Sequence, residues 1–75
     1  MKGTIDLSQS VHAICVKHPE IKRMMLNLGF SDLGNPGMFN TAGRFMTIPK
    51  GAKMKNIDLE LIKQNIRDLG FEIKE

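Results

Sequence analysis

Apolar residues recur along this chain at two spacings. In "IKRMMLNLGF", Ile21, Met24, Met25 and Leu28 stand at i, i+3, i+4 and i+7, and Leu59, Ile62, Ile66 and Leu69 repeat that stripe near the other end. This is the period of a helix with one buried face. The first segment and "IKQNIRDLGF" both close on Leu-Gly-Phe. That ending predicts a Schellman-type stop, with Gly29 or Gly70 left-handed at C′, Phe30 or Phe71 at C″, and Met25 or Ile66 as the apolar partner at C3.

The starts are marked too. Pro19 suits the first position of a helix from Pro19 to Leu28, with Glu20 beside the positive end of its dipole, and Asp58 is placed to cap the last helix. Upstream, Ser10 caps a short helix through His18 that turns Val11, Ile14 and Cys15 inward, and the residue before Pro19 ends it. In the middle, Asn35-Pro36 is a further N-cap pair. Met38, Phe39, Ala42, Phe45 and Met46 then trace one helical face, interrupted by Gly37 and Gly43. Thr47 caps a one- or two-turn segment, "IPKGAKM", with Pro49 in its first turn and Asn56 as its stop.

The ends show the other spacing. Ile5 and Leu7 flank Asp6, and Phe71 and Ile73 flank Glu72, a period of two that allows the termini to pair as short strands. The expected fold is a single all-α domain over residues 1–75, a compact array of four to five short helices with that β pairing as an addition. A chain of 75 residues buries only about 60% of the surface its unfolded form exposes, which argues against a deep private active site.

Composition narrows the function classes. With 41% hydrophobic and 25% charged residues the chain is of the soluble globular class. No run approaches the roughly 20 apolar residues of a membrane span, and "MKGTIDLSQS" lacks the apolar core of a signal peptide. One cysteine, Cys15, cannot make an internal disulfide, which fits a reducing, cytoplasmic setting. Six methionines suit irregular packing or an adaptable binding surface.

Candidate chemistry is sparse. His12, Cys15 and His18 form H-x-x-C-x-x-H, whose residue types zinc, iron or haem accept. On one helix, however, His18 lies about 9 Å beyond His12 along the axis, at 1.5 Å per residue, so at most His12 and Cys15 could share a metal. The competing reading buries Cys15 in the core and leaves both histidines on its flanks. The acidic residues are scattered or occupied as caps, with no carboxylate pair for acid–base work. "FSDLGNPG" lacks the Lys-Ser/Thr of a phosphate loop, although the N–H groups following Asn35 could meet a small anion.

Lys50, Lys53 and Lys55, with Arg44, are the densest positive stretch. A net charge of +3, no Trp or Tyr, and a last helix offering only Gln64, Asn65 and Arg67 toward base edges leave nucleic-acid binding as the lowest-ranked alternative. The expectation is a non-enzymatic module without a cofactor. It would bind a protein or small ligand, or a second copy of itself, through a surface that includes Asn35, Met38, Phe39 and Met46. A metal- or haem-linked redox module using His12 and Cys15 is the alternative.

The order Ile5, His18-Pro19-Glu20, Leu28-Gly29-Phe30, Thr47, Ala52, Ile57-Asp58 and closing helix resembles the DUF1858 family, domains of unknown function. The resemblance implies an all-α fold, found alone or beside hemerythrin-like and PAS-type sensor modules. Many such domains carry C-x-G-C shortly after the second helix. Here Asp32, Gly34 and Asn35 stand at the matching places, so the glycine is kept and both thiols are absent.

Overall fold

A computed structural model describes residues 3–74. They form strand β1 (Gly3–Asp6), helices α1 (Val11–Lys17), α2 (Pro19–Leu28), α3 (Pro36–Asn40), α4 (Ile48–Lys55) and α5 (Leu59–Asp68), and strand β2 (Phe71–Lys74). Two 3₁₀ turns, Ser31–Gly34 and Ala42–Arg44, flank α3. Among the described residues no helix is long and apolar enough to cross a membrane.

The helix limits follow from local hydrogen bonds. Ser10 Oγ accepts from the Ala13 N–H, Asn35 Oδ1 from Gly37 and Met38, Thr47 Oγ1 from Lys50, and Asp58 Oδ1 from Glu60. Each satisfies donors that the first helical turn leaves unpaired. At the end of α2, Gly29 is left-handed (φ 118°), its N–H donates to Leu26, and the Phe30 N–H donates to Met25. Both bonds of the Schellman motif are thus in place.

The same pair recurs where α4 stops. Asn56 is left-handed (φ 57°) and donates to Lys53, while Ile57 donates to Ala52. After α5, Gly70 has φ 101° and donates to Arg67. The two-bond cap at Gly29 and Phe30 therefore recurs at Asn56 and Ile57, written with asparagine, which reaches the left-handed region at lower cost than most residues.

The two strands pair in parallel, Gly3 opposite Phe71 through Asp6 opposite Lys74, and the ladder continues with the Leu7 N–H donating to the Lys74 carbonyl. A parallel pair needs a long crossover, and all five α-helices lie within it. One hydrophobic cluster joins the elements. Ile5, Val11, Ile14, Ile21, Met25, Ile48, Ile62 and Ile66 are its most deeply buried side chains. Helix α2 packs on α1 and α5, and α5 packs on α4 and β2.

The middle of the chain departs from the expected single helical face. Helix α3 stops at Asn40, where Thr41 Oγ1 turns back to donate to the Gly37 carbonyl at 2.7 Å, a bond that competes with continued helix. Beyond it the chain is held from α1: the Val11 N–H donates to the Met46 carbonyl at 2.7 Å, and Ser10 bridges Thr47. Phe45 is consequently 83% exposed instead of sharing a face with Phe39.

Candidate functional site

Between the first 3₁₀ turn, the second and α4, the fold leaves an apolar cleft of about 230 Å³. Val11, Phe30 and Leu33, all buried in the core cluster, form its floor. Met38 from α3, Met46 from the segment before α4, and Met54 from α4 line it above, the first 42% and the last 71% exposed. Ala42, Gly43 and Gly51 complete the lining.

Gly51 is what lets α4 come this close to the floor. A Cβ at that position would lie 3.1 Å from Phe30 Cε1, tighter than ordinary packing allows without a shift, and 3.6 Å from Met46 Cγ, an ordinary contact. Gly51, Met54 and Lys55 stand at i, i+3 and i+4 on α4 and so share one face.

Two charged residues also line the cleft. Lys55 Nζ and Asp32 Oδ2 are 3.0 Å apart, and both side chains are partly exposed. A pair in that setting contributes little stability. It does bring the 3₁₀ turn after α2 and the end of α4 together.

Of the surface expected from sequence, Met38 and Met46 meet in this cleft, while Phe39 and Asn35 do not join them. Phe39 is only 8% exposed. Its ring is covered by that of His12, at 4.8 Å between centroids, and by the Lys22 ammonium at 4.2 Å, a cation–π arrangement. The Asn35 oxygen is engaged as the cap of α3, a helix of only five residues. It already holds the N–H groups that an anion would need.

Val11, Phe30, Leu33, Gly51 and Met54 were not singled out as a group by sequence reasoning. The face shared by Gly51 and Met54 was legible in helical spacing. Their meeting with Phe30 was not, because it depends on how α4 packs.

The histidine–cysteine string is dispersed. His12 Nε2 lies 3.2 Å from Asn40 Oδ1, and the ring of His18 meets that of Phe71 edge-on at 4.7 Å. Cys15 is 2% exposed, and burial pushes its thiol up to about 11, partly offset by the Lys22 charge. A thiol so placed is a poor nucleophile at neutral pH. Among the described residues no group of three or more His, Cys, Asp or Glu is arranged to hold a metal ion.

Asp32 and Asn35, which the resemblance set at the places of the two absent thiols, respectively form the ion pair with Lys55 and cap α3. Both positions therefore have structural uses in this chain. The 3₁₀ turn between them, Ser31–Gly34, borders the cleft through Asp32 and Leu33.

The profile of a family described as Domain of unknown function (DUF1858) matches residues 5–63. A crystal structure of a conserved domain protein from Streptococcus pneumoniae TIGR4 superposes on the fold with a TM-score of 0.89 at 34% sequence identity, covering 99% of this chain and 94% of that one. No curated protein matches the chain.

Proposed function

Because the chain belongs to the family Domain of unknown function (DUF1858), we propose a function from its own surface: it is a non-catalytic binding module that takes an apolar side chain of a partner protein into the methionine-lined cleft. The observation that carries this is the cleft's size and lining. At about 230 Å³ it falls below the roughly 300–1,000 Å³ usual for small-molecule and cofactor sites, and it suits one anchoring side chain. Thioether side chains at its mouth, on Met38 and Met54, adapt to the shape of what enters. Among the described residues its only ionisable lining residues, Asp32 and Lys55, are paired with each other, which is a framework for holding a surface more than for proton transfer.

Short random peptides displayed on phage, selected against the wild-type chain and against Met54→Glu, test this reading. Met54 is exposed, so the fold should tolerate the change, which circular dichroism would verify. Peptides with a large apolar residue should enrich on the wild type and lose at least about tenfold in affinity on the variant, or about 1.4 kcal/mol. Absence of enrichment, or enrichment indifferent to Met54→Glu, would remove the cleft as the binding site. Sedimentation at several concentrations runs alongside, because a second copy is a competing occupant. A dimer that dissociates in Met54→Glu would assign the cleft to self-association instead.

A further inference from the structure

The charge of this chain is distributed very unevenly with respect to the cleft. Four of its 11 basic residues and none of its 8 acidic ones lie between Leu33 and Ile57, the stretch that supplies the cleft's methionines, while the rest of the chain has a slight acidic excess. The stretch that supplies the cleft's methionines is therefore basic, while the lining also takes in Asp32 from just outside it.

The four cations are exposed and placed by the lining elements. Arg44 follows Gly43 in the second 3₁₀ turn and Lys50 precedes Gly51, one helical turn before Met54, whereas Lys53 stands on the face of α4 opposite Gly51. Lys55 is engaged with Asp32, the only acidic residue lining the cleft among the described residues. That leaves Arg44 and Lys50 beside residues that line an apolar opening. We propose that the partner is an acidic amphipathic segment of another protein, whose apolar side chain seats in the cleft while its carboxylates face Arg44 and Lys50.

Two arguments favour this occupant. Exposed cations around an apolar centre set partner choice and encounter rate by complementary charge, while the apolar anchor supplies most of the affinity. The cleft is also too small to hold more than an anchor, so flanking residues of the partner must lie across the rim, where the charge is.

The proposal rests on the cleft being the binding site, and its test separates the two. Peptides enriched on the wild-type chain should combine a large apolar residue with Asp or Glu nearby. Their affinity should fall roughly tenfold in Arg44→Glu/Lys50→Glu, and the wild-type affinity should weaken as salt is raised. Both substituted residues are exposed, and thermal melts of the variant check that the fold is kept. Enriched peptides that are apolar but neutral or basic, sensitive to Met54→Glu and indifferent to the charge reversal, would overturn the acidic partner and leave the cleft in place. Loss of enrichment altogether would overturn both. Decanoate, which offers a carboxylate and an alkyl chain without a peptide, serves as the comparison. Tighter saturation by decanoate than by the enriched peptides would overturn the choice of a protein partner.

Discussion

Cys15 shows how one residue's surroundings decide its chemistry. The thiol sits in the core beside Ile14, and desolvation moves its ionisation from 9.0 up to about 11. Alkylation at neutral pH should accordingly be slow in the folded chain and fast after denaturation, a contrast that mass spectrometry can follow. The same shift links stability to pH. The unfolded thiol ionises near 9.0 while the folded one holds its proton to about 11, so the stabilising contribution is intact below pH 9 and lost as pH rises through that window. Thermal melts of the wild type should fall more steeply there than those of Cys15→Ala. Parallel curves would place the thiol in contact with water. Gly29 makes a second test at this scale. Among the described residues an added Cβ would meet only Ile57 Cδ1, at an ordinary 3.5 Å, so the cost of Gly29→Ala is one of backbone conformation. At φ 118° it should be about 1 to 2 kcal/mol, read from the shift in a chemical denaturation midpoint.

At the scale of the element, short helices depend on their ends. Helices of 5 to 10 residues are marginal by themselves, so each cap carries a large share of what defines them. Ser10→Ala and Asp58→Ala should each destabilise by about 1 kcal/mol, with amide exchange quickening first in the turn that loses its cap. Uniform exchange across the chain would mean that helix ends do not open independently. These caps were legible because each joins residues two to five positions apart. The left-handed Asn56 was legible as a stop, though its full equivalence to the Leu-Gly-Phe ending needed the two hydrogen bonds from Asn56 and Ile57. The early end of α3 was not legible. Its apolar spacing through Phe45 and Met46 is helical, and the competing bonds come from Thr41 and from α1.

For the whole molecule, phenylalanine at two positions has opposite consequences. Phe71 is 4% exposed in the core cluster with the His18 ring against it, whereas Phe45 is 83% exposed. Phe71→Ala should cost roughly 3 to 5 kcal/mol, a large fraction of the 5 to 15 kcal/mol or so that domains possess. Phe45→Ala should stay within about 0.5 kcal/mol. Paired thermal melts compare them directly, and equal losses would mean that Phe45 packs against the body of the protein in solution.

What the sequence determined by itself was the set of helices and where most of them begin and end, because those depend on hydrogen bonds and side-chain faces local to the chain. It also marked both termini as strands by alternation, and it marked Cys15 as a core residue. It could not choose between burial for Phe39 and exposure for Phe45, or the parallel direction of the β1–β2 pair. Nor could it assemble the cleft. Those depend on contacts between distant residues: Val11 with Met46, Ser10 with Thr47, Asp32 with Lys55, and Gly51 against Phe30. The periodicity of a segment says which face is apolar, and only packing decides whether another element covers that face or leaves it open.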